Sequence, residues 1–185
     1  MSVFYTADEH LGHSRIIQYV TRPFASLEEM DEAIINRWND RVSDKDTVYC
    51  LGDFTLSGPD AAEAYFRRLN GHVILIPGGH DRHWIGRAMH TVNGHPVVIA
   101  PPILRVPDPN MGKIVLCHYP MLSWEQSHYG AWHLHGHSHG TVGVCEASGD
   151  ANLPPGKMRG MRVDVGVDCW NFYPVASEML AGVMP

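Results

Sequence analysis

The stretch Asp46-Thr47-Val48-Tyr49-Cys50-Leu51-Gly52-Asp53 decides how this chain folds. Its β-branched and aromatic residues predict a strand over Asp46–Leu51, and Gly52-Asp53 closes that strand on a turn that carries a carboxylate. The same design recurs on either side. Ser2–Thr6 predicts a strand that runs to Asp8-x-His10, and His72–Ile76 predicts one that runs into Pro77-Gly78-Gly79-His80-Asp81. Between the first two strands, Leu27, Met30, Ile34, Ile35, Trp38 and Val42 recur near a helical period. Ser26 reads as the N-cap of that helix, with Glu28 and Glu29 in its first turn. Pro59–Leu69 predicts a second helix with proline at its start, and Asn70-Gly71 ends it. Strand, helix, strand, helix, strand is the pattern of an α/β domain with parallel strands. Ligands in such sheets bind at the carboxyl ends of the strands. Asp8, Asp53 and His80 are therefore expected along one edge.

The second half is strand-rich. Pro96–Ala100, Ile103–Val106, Lys113–Cys117 and Met161–Val167 predict short strands in a second, more antiparallel sheet packed on the first. Pro107-Asp108-Pro109-Asn110 and Asn110-Met111-Gly112 are turn material, and 146–159 reads as a surface loop rich in Gly, Pro and small polar residues.

The 185 residues suit a single domain over 1–185, and the 44% hydrophobic content is ample for a core. No apolar run reaches transmembrane length, and the short start Val3-Phe4-Tyr5 does not make a signal peptide, so a cytoplasmic location and no membrane partner are expected. Cys50, Cys117, Cys145 and Cys169 are scattered, with no Cys-x-x-Cys pair; Cys50 and Cys117 sit in apolar runs and read as buried thiols. The net charge of −6 excludes a protein that grips duplex DNA through a basic patch. It leaves room for a phosphate substrate, because bound divalent cations reverse the local sign. The oligomeric state is not encoded in any feature we recognise.

The compositional anomaly is the 13 histidines. Many fall in short turn-rich motifs: Asp8-x-His10, His80 beside Asp81, His118 after the run Ile114–Cys117, and His137-x-His139 after Gly136. Asp8, His10, Asp53, His118, His137 and His139 together offer six nitrogen or oxygen ligands and no thiolate, a mix compatible with Mn, Fe, Zn, Co or Ni. Two ions roughly 3.5–4 Å apart can hold the attacking and leaving oxygens of an in-line displacement and bring a bound water to hydroxide near neutral pH. His80 would stabilise charge or protonate the leaving oxygen, with Asp81 orienting its ring. His13, three residues after His10, is a candidate substrate contact. His135 could support His137 or be a surface residue. His72, His83, His90, His95, His128 and His133 read as structural or solvated. Trp124, Trp132, Tyr119 and Tyr129 read as core residues before pocket walls.

The ordered set Asp8-x-His10, Gly52-Asp53, Gly78-x-His80-Asp81, His118 and Gly136-His137-x-His139 resembles the calcineurin-like metallophosphoesterase superfamily. Arg22-Pro23-Phe24, Leu51-Gly52-Asp53-Phe54, His118-Tyr119-Pro120-Met121 and Asp168-Cys169-Trp170-Asn171 extend the likeness to its small single-domain bacterial and phage members. The resemblance implies a four-layer fold of two packed mixed β-sheets flanked by helices. It implies two divalent ions, manganese first among the metals above: one on Asp8, His10 and His139, one on His118 and His137, with Asp53 bridging both. It makes His80 the catalytic histidine and Asp81 its partner. One position departs from the pattern, for Gly79 stands where the family has an asparagine whose amide oxygen reaches the second metal. The second site is then expected to bind its ion more weakly.

The function these residues imply is metal-dependent hydrolysis of a small phosphodiester or phosphomonoester, nucleotide-like in view of the open site. Two alternatives from the same superfamily are a protein-interaction module with a degenerate metal site, and a metal-dependent nuclease. Retained His80 and Asp81 oppose the first, and the acidic balance opposes the second.

Overall fold

The computed structural model describes residues 1–142, 145–146 and 160–182. Strands β1 (Val3–Thr6), β2 (Thr47–Cys50), β3 (His72–Leu75) and β4 (Val98–Ile99) run parallel, with helices α1 (Ile16–Tyr19) and α2 (Leu27–Arg41) between β1 and β2 and α3 (Pro59–Phe66) between β2 and β3. β10 (Val175–Ala176) pairs antiparallel with β1, which completes a five-stranded sheet in the order β10-β1-β2-β3-β4. The expected parallel α/β half is thus present. Ser26 caps α2 as expected, its hydroxyl accepting the Glu29 amide at 3.1 Å.

The second sheet has the order β5-β6-β7-β9-β8, from β5 (Ile103–Asp108), β6 (Gly112–Cys117), β7 (Trp132–His135), β8 (Cys145–Glu146) and β9 (Met161–Asp164). It is mixed rather than mainly antiparallel: β5–β6 and β8–β9 are antiparallel, β6–β7 and β7–β9 parallel. Three further sequence expectations are corrected. The strand expected over Pro96–Ala100 is only Val98–Ile99, and it extends the first sheet, with Val98 opposite Ile74, instead of joining the second. β7 falls in Trp132-His133-Leu134-His135, where the histidines hide the alternation of a strand. β10 and a short helix α4 (Ser177–Ala181) follow where no element was expected. The loop expected over 146–159 lies, after Glu146, outside the described residues.

Packing explains how the sheets meet. Phe4, Val48, Cys50, Val73 and Leu75 face α2 and α3, against Met30, Ile34, Ile35, Trp38, Ala62 and Phe66. The opposite face of the same sheet, with Tyr5, Leu51 and Ile76, packs on Ile114, Leu116, Trp132, Leu134 and Val163 of the second sheet. Alternation along each strand therefore supplies two cores, one under the helices and one between the sheets. On the outer face of the second sheet Val115 packs with Trp124 and Ala131. The architecture is α/β, with two mixed sheets and flanking helices. Cys50 and Cys117 are buried free thiols, and Cys169 is an exposed one. Among the described residues no helix is long and apolar enough to cross a membrane.

His133 sits on that outer face, fully buried. Its Nδ1–H donates to the Val115 carbonyl at 3.0 Å, and its Nε2 accepts the Met121 amide at 3.1 Å. Burial pushes its pKa down, from 6.5 to about 4. The unfolded chain therefore takes up a proton at this position that the folded chain refuses as pH falls through that window, so acid favours unfolding. The urea midpoint should drop between pH 7 and pH 4.5, and drop less in His133→Gln; equal losses in both proteins would show that His133 does not carry the effect.

Candidate metal centre

The predicted ligands stand where strands end. β1 runs out to Asp8 and His10, β2 to Asp53, β3 to His80, β6 to His118 and β7 to His137 and His139. The carboxyl edges of both sheets thus meet on one side of the molecule. Two close approaches make this possible. A Cβ on Gly136 would lie 2.5 Å from the Ala7 Cβ and 2.6 Å from Asp8 Oδ2, so only glycine lets β7 turn against the end of β1. Gly52, at φ +89°, would put a Cβ 2.2 Å from the Gly78 nitrogen, so glycine is also required where the β2 and β3 turns touch.

Three groups of donors form, in each of which the ligand atoms lie within 4.8 Å of one another: Asp8, His10 and His139; His10, Asp53 and His80; and Asp53, His118 and His137. Asp8, His10, Asp53 and His118 are buried, while His80 and His139 are partly exposed and His137 is exposed. The cluster is thus a floor of buried donors with an open rim. Asp8 Oδ1, His10 Nε2 and His118 Nε2 are buried with no hydrogen-bond partner, which is costly for polar atoms unless something else meets them. His118 Nδ1–H donates to the Leu51 carbonyl at 2.7 Å, which leaves Nε2 as a lone pair 3.3 Å from Asp53 Oδ2. Unpaired imidazole nitrogens beside carboxylate oxygens are the donor set a divalent cation takes.

Electrostatics points the same way. Burial, then the charges of Asp164 and Asp53, raise the Asp8 carboxyl well above its usual range. Burial also lowers His10 and His137. At Asp53 burial pushes upward, but the neighbouring His118 ring, the His80 amide and His10 outweigh it, so this carboxyl is held below the usual range. A cation among these groups would remove the repulsion at Asp8 and meet His10 and His137 where burial already favours the neutral ring; at His118 burial is outweighed by the Asp53 carboxylate, which favours the proton that a cation would replace.

The sequence is 32% identical to the uncharacterized protein MJ1445 of Methanocaldococcus jannaschii, over 96% of this chain and 88% of that one. This chain belongs to the MJ1445 family. It is also 25% identical to the gene 66 protein of Mycobacterium phage D29, over 92% of this chain and 89% of the other. A crystal structure of AQ665 from Aquifex aeolicus, a protein of unknown function, superposes with a TM-score of 0.68 at 20% identity over 99% of both chains, so the fold is shared. No protein-family model matches the sequence.

Sequence reasoning assigned no role to the residues that brace this centre in the present member of the MJ1445 family. His139 Nδ1 lies 2.7 Å from Asp168 Oδ2, so the carboxylate fixes the ring and leaves Nε2 to face Asp8 and His10. Arg22 clamps Asp168 through Nε and Nη2, both at 2.8 Å, and its terminal amines also reach the carbonyls of Glu9 and Asp8. Asp164 takes the Ser138 hydroxyl at 2.6 Å and the Gly140 amide at 3.0 Å, which shapes the loop between His137 and His139. Arg22-Pro23 and Asp168-Cys169 are visible as short motifs, but at a sequence separation of 146 nothing hints that Arg22 and Asp168 pair.

Asp81 does not orient the His80 ring. Its Oδ2 accepts the amides of Asp53 and Gly78, each at 2.8 Å, and its Oδ1 accepts that of Phe54 at 3.0 Å. It ties the β2 and β3 turns together. The His80 ring faces Asp53 instead, Nε2 lying 3.7 Å from Oδ2. His13 is at the rim, its ring 5.4 Å from that of His10 and 6.0 Å from that of His80. His135 is buried and donates Nδ1–H to the Gly136 carbonyl at 2.8 Å, so it holds the backbone of the motif, not the His137 ring. Trp124 and Trp132 are core residues; Tyr129 is exposed, and Tyr119 packs its ring on His118 and His137. A cavity of about 400 Å³ beside Arg105, Lys113, Val115 and Gln126 contains none of the predicted ligands.

A Cβ on Gly79 would stand 3.3 Å from the Tyr119 hydroxyl and 3.9 Å from Asp53 Oδ1. A side chain there fits once the half-exposed tyrosine gives a few tenths of an ångström, and it starts beside Asp53. Calorimetric titration of metal-stripped protein with Mn²⁺ should show a tighter second ion in Gly79→Asn; unchanged affinity would mean that the glycine does not weaken that site. In the same titration Asp168→Asn should weaken binding about 10–100-fold by releasing the His139 ring, and full retention would remove Asp168 from the centre.

Proposed function

We propose that this protein is a metal-dependent phosphoesterase of the calcineurin-like type, hydrolysing a small phosphodiester or phosphomonoester at a dinuclear centre. The observation that carries this reading is a pair of donor groups, Asp8–His10–His139 and Asp53–His118–His137, side by side at the carboxyl edge of two packed sheets, with three of their atoms buried and unpaired. The two-sheet core with α2 and α3 outside the first sheet is what a four-layer metallophosphoesterase requires of that half. Divalent ions bound there supply Lewis acidity, which activates water and neutralises phosphoryl charge.

The chain's own residues divide the remaining tasks. Asp53 lies between the two donor groups, within reach of His10 and His80 on one side and His118 and His137 on the other. His80 stands at the rim with its side chain 38% exposed, so it can reach a bound ester and give a proton to the leaving oxygen. His13 flanks the same approach and would touch the substrate. Asp81 and Arg22 keep the turns and the His139 ring in place.

The test is hydrolysis of bis-p-nitrophenyl phosphate and p-nitrophenyl phosphate by metal-stripped protein as Mn²⁺ is titrated back. Saturable turnover that depends on metal and falls about 10²–10⁴-fold in His80→Ala is expected. Absence of turnover with Mn²⁺, Ni²⁺, Co²⁺ and Zn²⁺ on both esters would overturn the reading.

A further inference from the structure

The side chain missing at position 79 leaves a space with a definite chemistry. Three groups face the point where a Cβ would stand: the Tyr119 hydroxyl at 3.3 Å, Arg82 Nη2 at 3.8 Å and Asp53 Oδ1 at 3.9 Å. Asp53 Oδ1 is already engaged, accepting the His80 amide at 2.9 Å. What remains free to meet a ligand is one hydroxyl and one guanidinium edge.

Both groups are held rather than loose. The Tyr119 ring meets His118 edge-on with centroids 4.7 Å apart, and meets His137 likewise at 4.8 Å. Its hydroxyl is therefore fixed over the turn although the residue is 45% exposed. Arg82 Nε donates to the Gly79 carbonyl at 3.1 Å, which anchors the guanidinium to the same turn. A guanidinium has donors only and cannot lose its proton in a protein, so it excludes a cation and invites an anion.

We propose that the space over Gly79 is a subsite for a terminal, non-bridging phosphoryl oxygen, bound by the Tyr119 hydroxyl and the Arg82 guanidinium, and that it directs the protein toward phosphomonoesters. The proposal rests on the phosphoesterase reading above and adds the substrate class. A monoester has three non-bridging oxygens and carries between one and two charges near neutral pH, its second pKa being about 6. A diester has two such oxygens and one charge. Its third equatorial oxygen is esterified, carrying a carbon substituent and no formal charge. A bare, charged oxygen over Gly79 gains a charge-assisted hydrogen bond from Arg82; an uncharged esterified one gains a weaker one. The surrounding carboxylates, Asp8, Asp53 and Asp81, strengthen the argument, since Arg82 supplies positive charge on the substrate side of a centre built from acids.

Inorganic phosphate is the probe. Calorimetric titration of phosphate into Mn²⁺-loaded protein should show affinity weakened about tenfold in Arg82→Gln and again in Tyr119→Phe, the loss of one good hydrogen bond to a charged group in each case. Mn²⁺ affinity, measured separately, should stay within about twofold, as expected for side chains that touch no ion. The ratio of kcat/KM for p-nitrophenyl phosphate to that for bis-p-nitrophenyl phosphate should fall by a similar factor. Unchanged phosphate affinity in both variants would overturn the subsite. So would Mn²⁺ affinity falling in step with phosphate affinity, which would make the two residues supports of the metal. If the wild type hydrolyses neither ester, the phosphoesterase reading fails, and the phosphate titration still decides the subsite by itself.

Discussion

The Asp8 carboxylate is the joint between the two sheets. It sits at the end of β1, fully buried, and its Oδ2 accepts the His137 amide from the loop after β7 at 2.8 Å. Its backbone amide donates to the Gly52 carbonyl at 2.9 Å, which fastens it to the end of β2. Its carbonyl accepts Arg22 Nη2 at 2.6 Å. One residue thus contacts the ends of three strands and the arginine that braces the rim. The second oxygen, Oδ1, has no hydrogen-bond partner and lies 4.0 Å from His10 Nε2. Burial and the neighbouring carboxylates of Asp164 and Asp53 oppose its ionisation, so Asp8 without a cation is an unrelieved electrostatic cost at the centre of the fold. A cation beside Oδ1 would relieve that cost and stabilise the contact between the sheets by the same act, which couples ion binding to the stability of the folded chain.

Backbone conformation adds a second cost at the same places. Asp8, His10, Asp53, His137 and His139 all have positive φ, between +46° and +67°. Side-chain-bearing residues avoid this left-handed region, at about 1–2 kcal/mol each, although Asp and His tolerate it better than most. The conformation bends the chain sharply after each strand and swings the side chain inward over the sheet edge. It persists because the surroundings over-determine it. Asp81 supplies part of that constraint by gathering three backbone amides from the β2 and β3 turns, and the Arg22–Asp168–His139 chain supplies another part. The residues that do no chemistry therefore account for the geometry of those that would.

The sequence revealed strands that end in ligands more clearly than the supports behind them. In the first half, β-branched runs and turn residues lie next to each other, and local pattern suffices: Val48 and Cys50 face one core, Tyr49 and Leu51 approach the other, and Asp53 follows. β7 escaped because its alternate residues are His133 and His135, buried polar groups that each hydrogen-bond a backbone carbonyl through Nδ1, which an apolar-periodicity argument does not recognise. Val98–Ile99 was placed in the wrong sheet because a two-residue strand carries no signal of its partner. Adjacency and the family resemblance both pair Asp81 with His80, but neither fixes where its carboxylate points. The 3₁₀ turn over Asp81–His83 sends its carboxylate down into the turns, while the neighbouring His80 ring lies at the rim facing Asp53. Arg22 and Asp168 are joined only in space. Local chemistry is legible in a single sequence, whereas long-range pairing is legible only where periodicity encodes it.

Charge sets the order in which such a centre can work. Asp8, Glu9, Asp53, Asp81, Asp164 and Asp168 crowd the floor, with Arg22 as the buried cation among them, in a chain whose formal charge is −6. Burial raises Glu9 to about 7 against the hydrogen bonds from Thr6 and Cys50 that lower it, a measure of how poorly this region tolerates further negative charge. An anionic ester approaching these carboxylates without divalent ions would meet repulsion in a medium that screens it weakly. Two dications would reverse the balance, and the remaining selectivity would pass to the rim, where Arg82 and Tyr119 are exposed and His13 and His80 partly so. The acidic composition that argues against a nucleic-acid groove thus becomes intelligible as the counter-charge for metal. On the proposed reading the acids would serve the ions, the histidines would divide between the ions and the reaction, and the few rim donors would be left to distinguish one phosphate from another.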